Sequence, residues 1–287
     1  MNTVVVRFSS LGDIVLTGAV TGALAPVTYI TLPRYRELAA MLPGVDAVIG
    51  YGVDPLPQAA PRIIDLHASW RSLRVIQQIR GPSSRVRRHD IRRRMRVALK
   101  TGPAPPVVTR YARAAGVAPQ PGPWLPVASG PSLLLCPTAA HATKQWPLSR
   151  YIALGRRWEG PVHVLGGPAD TEAVRAVSDG IGSHAEGMAE RGFRRTLAAL
   201  GTGRVAVGGD TGLMHLCAAA GLPTVVLFGP TTADDGFWPS PSAAPSVPLY
   251  CRPCSRHGGP RCPFGDHRCM VDLRVDTVWE ALLGVLV

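Results

Sequence analysis

A glycine-rich turn with polar side chains interrupts the apolar stretch formed by residues 205–232. The stretch has the pattern of strand, turn, helix, turn and strand, and its first turn contains Gly208, Gly209, Asp210, Thr211 and Gly212. The first N–H groups of a helix have no partner within the helix, and they attract anions, especially diphosphates. The pattern therefore predicts an anion-binding site above this turn.

Two other side chains favour a phosphate group at this site. His215 follows Thr211 by four residues, so both lie on one helix face near its start. Lys144 follows another predicted strand and would reach the same edge of a parallel sheet. The alternative interpretation is ordinary packing of a strand–turn–helix unit in which Asp210 is only the N-cap.

Asp13 is a candidate general base. Residues 3–8 have the β-branched, apolar character of a buried parallel strand, and Asp13 closes the short segment that follows them. Ligands collect at the carboxyl ends of such strands, where a carboxylate can take a proton from a substrate. Alternatively, Asp13 only complements the dipole and caps the first turn of a helix predicted over residues 14–25.

Residues 67–72 form a second loop at a strand end. They follow a predicted strand over residues 62–66 and lead into a predicted helix that ends near residue 79. The loop contains His67, Arg71 and Ser72, and it is the second candidate ligand loop of this half. An arginine near a helix start is commonly a solvated side chain, so Arg71 and Ser72 carry the weaker signal.

Four late cysteines, Cys251, Cys254, Cys262 and Cys269, have the spacing C-x2-C-x7-C-x6-C. A C-x2-C pair followed by two more cysteines in a proline- and glycine-rich loop is typical of a structural zinc site. Free thiols, an iron–sulfur cluster and disulfides are the alternatives. The pattern does not favour catalysis, because no base is paired with a nucleophilic thiol.

Composition and charge narrow the class of protein. The chain has 287 residues, of which 46% are hydrophobic, and this length allows a large core and two domains. Its net charge is +12, and the segment from Arg80 to Lys100 holds nine basic residues and one acid. Such a block favours an anionic partner, an anionic membrane face or a solvated surface. Nucleic acid fits poorly, because the block lacks aromatic residues that stack on bases.

Membrane-spanning and export signals are not found in the sequence. No apolar run reaches the length that crosses a bilayer. The apolar residues 14–25 follow a strand-like run and Asp13, which is not the order of a signal peptide. We therefore expect a cytoplasmic protein with reduced thiols.

Predicted strands and helices alternate in both halves, which predicts parallel sheets with helices on both faces. Residues 119–131 are proline-rich and indicate a linker. We predict one domain over residues 1–125, a linker over 126–131 and a second domain over 132–275 with the cysteine-rich loop 251–269. A terminal helix over 276–287 would pack back on the first domain, and ligands are expected between the domains.

Five motifs together resemble those of glycosyltransferase family 9, the lipopolysaccharide heptosyltransferases. They are Arg7-Phe8-Ser9-Ser10-Leu11-Gly12-Asp13 with Thr17; Asp65-Leu66-His67 with Arg71-Ser72; Lys144-Gln145-Trp146-Pro147; Gly208-Gly209-Asp210-Thr211-Gly212-Leu213-Met214-His215-Leu216; and Leu227-Phe228-Gly229-Pro230-Thr231. The cysteine-rich tail is also similar to that of some members. The resemblance implies an α/β fold of GT-B type, in which two doubly wound Rossmann-like domains face a central cleft.

The resemblance also implies an activity: inverting transfer of heptose from ADP-heptose to the lipopolysaccharide core, without a catalytic metal. Asp13 would be the base. The donor would be bound by Lys144, Gly167, Asp210, Thr211, Gly212, His215, Gly229 and Thr231. The acceptor, in the first domain, would contact Ser9, Ser10, Gly12, His67 and Arg71.

The basic segment from Arg80 to Lys100 would then meet an acidic glycolipid or the anionic inner leaflet, or remain a solvated face. Two other functions stay open. One is a transferase for a different nucleotide sugar or acceptor. The other is a catalytically silent protein that binds nucleotides or nucleic acid.

Overall fold

The computed structural model describes residues 2–87, 90–100, 102, 105–189, 192–235 and 242–287. The chain divides into two compact units, Met1–His89 with Pro105–Pro126 and Asp90–Ala104 with Val127–Val287. The second unit thus includes residues 90–104, which the predicted boundaries place in the first domain. No described helix is long and apolar enough to span a bilayer.

The described residues form ten strands: β1 (Thr3–Val6), β2 (Val27–Thr31), β3 (Val45–Gly50), β4 (Ile63–Asp65), β5 (Ser83–Arg85), β6 (Ser132–Cys136), β7 (Val162–Leu165), β8 (Ala185–Met188), β9 (Gly203–Gly209) and β10 (Thr224–Leu227). They also form twelve α-helices: α1 (Leu11–Val15), α2 (Gly18–Thr21), α3 (Arg36–Ala40), α4 (Trp70–Gln77), α5 (Asp90–Leu99), α6 (Val107–Ala115), α7 (Leu148–Arg156), α8 (Thr171–Ile181), α9 (Gly192–Leu200), α10 (Gly212–Ala219), α11 (Arg268–Val271) and α12 (Val275–Gly284).

The sheet of the first unit is parallel throughout, with the strand order β3-β2-β1-β4-β5. Val6, the last residue of β1, is paired with Ile30 on one side and with Asp65 on the other. The connections leave in opposite directions after β1 and β4, and a ligand crevice forms at such a point. The loops that contain Asp13 and His67 follow these two strands.

The sheet of the second unit is also parallel, with the order β10-β9-β6-β7-β8. Numbered within the unit, this is the strand order of the first sheet. Its switch point lies between β6 and β9, where Cys136 is paired with Gly208. The loops after these strands contain Lys144 and Asp210. The predicted fold class, two Rossmann-like α/β domains with parallel sheets, is therefore confirmed.

Helix α12 packs in the core of the second unit. Val278 and Leu282 are buried together with strand residues such as Leu135 and Val207. The Trp146 indole N–H donates to the Leu273 carbonyl (2.9 Å), which fixes the chain just before the helix. The buried face of α12 thus packs within the second unit, and the predicted contact with the first domain stays a prediction.

The predicted helix over residues 14–25 is broken into shorter pieces. Helix α1 ends at Val15 and α2 begins at Gly18. The Thr17 hydroxyl donates to the Ile14 carbonyl (2.6 Å) and lies 3.0 Å from the Tyr29 hydroxyl. Threonine can compete in this way for backbone groups. A Cβ on Gly18 would lie 2.8 Å from the Trp124 ring, so only glycine allows this close packing.

Candidate functional site

Lys144 and Asp210 form an ion pair at the switch point of the second sheet. The Lys144 ammonium donates to a carboxylate oxygen of Asp210 (2.5 Å) and to its carbonyl (3.1 Å). The side chains are only 13% and 17% exposed. Charges sheltered from water attract each other more strongly than charges on the surface. The pair therefore joins the loop after β6 to the end of β9.

Thr231 completes this cluster from the turn after β10. Its buried hydroxyl donates to the same oxygen of Asp210 (2.9 Å). Burial alone would raise the pKa of Asp210, but the charges of Lys144 and His215 and the two hydrogen bonds lower it below its ordinary value. The carboxylate is therefore ionised at neutral pH and holds the ammonium in place.

The start of α10 is capped by Thr211, not by Asp210 as the alternative interpretation had it. The Thr211 side chain accepts from the Met214 N–H at 3.5 Å. Gly212 is the first helical residue, and His215 is half-buried on the following turn. The helix start therefore presents backbone N–H groups beside the Lys144–Asp210 pair.

Two glycines allow the three segments of this cluster to approach backbone to backbone. A Cβ on Gly209 would lie 2.7 Å from the Lys144 carbonyl, and a Cβ on Gly229 would lie 2.7 Å from the Thr143 carbonyl. These glycines thus serve packing within the protein. The Gly167 N–H donates to the Asp170 carboxylate (2.8 Å), so its hydrogen atom already has a partner.

Arg96 of α5 and Lys100, which directly follows the helix, hold neighbouring loops. The buried Arg96 donates to the Gly102 carbonyl (2.6 Å) and to the Thr232 hydroxyl (3.0 Å). Lys100 donates to the carbonyls of Cys251 (2.8 Å) and Pro253. These contacts explain why the helix belongs to the second unit, and they remove two charges from the predicted basic face.

Asp13 lies at the third position of α1 and forms an ion pair with Arg7. Its Oδ2 is 2.5 Å from a guanidinium nitrogen and accepts from the Ser10 hydroxyl (2.9 Å) and the Ser10 N–H (3.3 Å). The capping interpretation is thus correct in geometry. The carboxylate is nonetheless 32% exposed, against 13% for Arg7, so it remains open to a ligand.

A buried tyrosine contacts the other oxygen of this carboxylate. The Tyr111 hydroxyl, from α6, donates to Asp13 Oδ1 at 3.3 Å. Burial alone would lower the pKa of Arg7, but Tyr111, Asp13 and Tyr29 outweigh burial and raise it. Arg7 also donates to the Leu66 carbonyl (2.6 Å), which joins the loops after β1 and β4.

Asp65 organises the loop that contains His67. Its buried carboxylate accepts from the N–H groups of His67 and Ala68 (both 2.9 Å), from the Ser72 hydroxyl (2.8 Å) and from Arg85 (2.8 Å). Ser72 is therefore an internal support.

The candidate acceptor residues differ in exposure. Ser10 and Arg71 are exposed, Ser9 and His67 are half-buried, and Gly12 is buried within α1. The His67 ring packs against Phe8, with ring centroids 5.0 Å apart. Ser10 is directly bonded to Asp13, and the loop of His67 joins that cluster through Arg7.

The sequence did not predict the roles of Arg7, Asp65 and Tyr111. The first two carried a usable signal, because each is a charged residue at the end of an apolar strand, where burial requires a partner. Tyr111 carried none, since it is 98 residues from Asp13 along the chain.

The four late cysteines do not form a metal-ligand set in the structure. All six cysteines of the chain are without a disulfide, and the described residues contain no group of three or more His, Cys, Asp or Glu placed for a metal. Burial, with the neighbouring thiols, raises the pKa of Cys269 to about 11 and raises that of Cys254. Both thiols are thus protonated at neutral pH. The zinc site stays a prediction, which elemental analysis of the purified protein tests.

Comparisons with solved structures place this fold among known transferases. The chain is similar to an E. coli heptosyltransferase, WaaC, solved with ADP: the TM-score is 0.72 at 17% identity, over 99% of this chain and 100% of that one. It is equally similar to E. coli ADP-heptose lipopolysaccharide heptosyltransferase II, with a TM-score of 0.72 at 19% identity, over 100% and 98% of the two chains. At this identity the likeness shows the fold.

Sequence comparisons identify the family. Lipooligosaccharide heptosyltransferase 2 of Campylobacter jejuni is 35% identical over 79 residues, which span 27% of this chain and 24% of that relative. The family model "Glycosyltransferase family 9 (heptosyltransferase)" matches residues 93–257, more than half of the chain. This protein therefore belongs to glycosyltransferase family 9, the heptosyltransferase family.

Proposed function

We propose that this protein transfers heptose from ADP-heptose to a lipopolysaccharide-core or related glycolipid, with inversion at the anomeric carbon and without a catalytic metal. The observation that carries the proposal is the Lys144–Asp210–Thr231 cluster beside the start of α10. Family membership supports the reaction class. Two proteins of similar structure, the E. coli heptosyltransferase WaaC solved with ADP and the E. coli ADP-heptose lipopolysaccharide heptosyltransferase II, support the donor.

The cluster suits a leaving diphosphate. As the bond from the sugar to the diphosphate breaks, negative charge grows on the phosphate oxygens. The Lys144 ammonium and the N–H groups at the start of α10 are fixed positive groups that stabilise such charge. Asp210 and Thr231 hold the ammonium in position before the donor arrives, so little reorganisation is needed during the reaction.

Asp13 suits the other half of the reaction. An acceptor hydroxyl attacks the anomeric carbon and loses its proton to the carboxylate, while the sugar–phosphate bond breaks and ADP leaves. The Oδ1 side of the carboxylate, which also accepts a hydrogen bond from the Tyr111 hydroxyl (3.3 Å), is where the proton is accepted. Ser10 and Arg7 hold the other oxygen and fix the orientation of the carboxylate.

A transfer assay tests the proposal. Purified protein is incubated with ADP-heptose, or with ADP-glucose, UDP-glucose or GDP-mannose, and with a deacylated core oligosaccharide as acceptor. We expect ADP release and product formation with ADP-heptose alone. Turnover of a different donor would support the transferase activity but would reject heptose as the transferred sugar. Nucleotide binding without turnover of any donor would favour the catalytically silent protein.

We also propose that α5 contacts an anionic membrane surface. Arg94 is exposed, and Met95 and Leu99, one turn apart, are 51% and 62% exposed. A basic helix with exposed apolar residues binds anionic bilayers. Co-sedimentation with vesicles that contain anionic lipid should fall several-fold in the double variant Arg94→Glu/Leu99→Ser. Arg175→Glu, an exposed arginine of α8, is the control. Equal binding to neutral vesicles would reject the contact.

A further inference from the structure

Arg252, which lies between two of the late cysteines, binds the turn after β10 through its Nε and one terminal guanidinium nitrogen. It donates to the carbonyls of Phe228 (2.7 Å), Gly229 (2.7 Å) and Thr231 (3.2 Å). A further bond to the Val247 carbonyl (2.8 Å) anchors the other side of the group.

The neighbouring backbone reinforces this contact. The N–H groups of Cys254 (3.0 Å) and Ser255 (3.3 Å) both donate to the Pro230 carbonyl. Residues 228–231 lie outside the helices and strands and are held by residues 252–255. The position of this turn depends on the cysteine-rich segment.

The same segment holds the loop that contains Lys144. Thr143 and Gly259 exchange hydrogen bonds through both backbone and side chain, at 2.8–3.2 Å. The His267 ring lies 2.8 Å from the Thr143 carbonyl. Gly258 packs so closely that a Cβ there would lie 2.9 Å from His141 and 3.2 Å from the Lys144 side chain. Both partners of Asp210 thus come from segments that rest on residues 252–267.

We propose that Arg252 is a positioning residue of the donor site, acting through the turn 228–231 and the Thr231 hydroxyl on Asp210 and Lys144. The inference rests on the proposed function, because it assigns Arg252 to the donor half of that reaction. Arginine suits this role, because its planar group carries five N–H donors in a fixed fork. A lysine keeps the charge but cannot reach several carbonyls at once.

A double-mutant cycle with Arg252→Lys and Thr231→Val tests the inference. In the wild-type background, Arg252→Lys should raise the KM for the donor and the Kd for ADP about tenfold, with kcat changed by less, because bonds from a charged donor are lost. In the Thr231→Val background the same change should add less than about twofold, since residues acting in one network are not additive. Arg261→Lys, an exposed arginine of the same segment, is the matched control.

Three outcomes would overturn the inference. The first is additive effects of the two substitutions. The second is a lowered Tm and kcat in Arg252→Lys with unchanged KM and Kd, which indicates a smaller folded fraction and a structural role alone. The third is an equal effect of Arg261→Lys. Wild-type protein that binds no ADP and transfers no sugar would reject the proposed function instead, and this result is seen before any variant is compared.

Discussion

The two units each place a carboxylate beside a cation at the switch point of a sheet with the same strand order. In the first unit both partners follow β1, Arg7 directly after the strand and Asp13 in α1, whereas in the second unit Lys144 and Asp210 come from loops after different strands. The closest N–O distance is 2.5 Å in both pairs. Asp13 is 32% exposed, whereas Asp210 is 17% exposed and carries the Thr231 hydroxyl on the bonded oxygen.

This difference separates two uses of an ion pair. Where the carboxylate is 32% exposed, as at Asp13, the acid can meet a ligand and accept a proton. Where the carboxylate is enclosed, its use is to hold an ammonium group that bridges two loops. Under the proposed function the first pair serves the acceptor and the second serves the donor, and the following substitutions test that division.

The largest expected effect is that of Asp13→Asn. The amide cannot take a proton from the acceptor, so kcat should fall about a thousandfold, within the range typical of general bases. The KM for ADP-heptose should change little, because the donor is assigned to the other unit. Initial rates at saturating donor measure the loss, and calorimetric ADP binding is the control. Full transfer activity would reject Asp13 as the base.

Lys144→Met should have the next largest effect. Loss of one fixed positive group at the leaving diphosphate should reduce kcat/KM for the donor about a hundredfold. The variant also leaves Asp210 buried without its cation, so Lys144→Met/Asp210→Asn separates stability from activity. We expect the double variant to regain Tm but not turnover. Recovery of turnover would show that Lys144 only neutralises Asp210.

Tyr111→Phe should have a modest effect on the first pair. It removes the hydrogen bond from the Tyr111 hydroxyl to Asp13 Oδ1 and should lower kcat about three- to tenfold, as expected for one hydrogen bond. Tyr29→Phe is a matched control, because Tyr29 is also buried and its hydroxyl contacts Thr17. Both variants should lose similar thermal stability. An equal loss of kcat in Tyr29→Phe would show that the effect comes from lost packing and not from the hydrogen bond to Asp13.

The smallest effect concerns the pH dependence of stability. Because the pKa of Asp210 is lowered in the folded protein, its stabilisation is present above the ordinary value of 3.8 and is lost as the pH falls through the lowered pKa. Asp210→Asn should therefore lower Tm at pH 7, by about 2–4 °C for each kcal/mol of unfolding free energy that is lost. This deficit should shrink below pH 3.8. Asp179→Asn, an exposed acid of α8, is the control, and a deficit that stays constant from pH 7 to 3 would contradict the expectation.

The central strands of both sheets could be predicted because each is a continuous apolar run. The edge strands β5 and β8 could not, since Ser83–Arg85 and Ala185–Met188 contain serine, arginine, alanine, glutamate and glycine instead of such a run. An edge strand has one neighbour and less burial, so its sequence is less constrained. The sequence predicts the region of helix α5 only as a basic segment. The buried residue Arg96 cannot be distinguished in sequence from its exposed neighbour Arg94.

The residues proposed to contact the substrates could be predicted from the sequence, but the residues that hold them in position could not. Asp13, Lys144 and Asp210 stand directly after strands or in strand-end loops, where topology alone brings ligand groups together. Tyr111 and Arg252 act from loops and helices far along the chain, and no local pattern distinguishes them from other tyrosines and arginines. The cysteines were singled out for metal chemistry, whereas the hydrogen bonds of their segment point to a supporting role.

The shared strand order of the two sheets bears on how such a protein can diversify. In each unit the strands form the buried scaffold, while the candidate site residues follow the strands at one crevice. Under the proposed function, mutations in the segments of Asp13 and His67 can therefore alter acceptor recognition while the strands of both sheets are preserved. If the loops of the two units mutate independently, the specificity for one substrate can change while that for the other is retained.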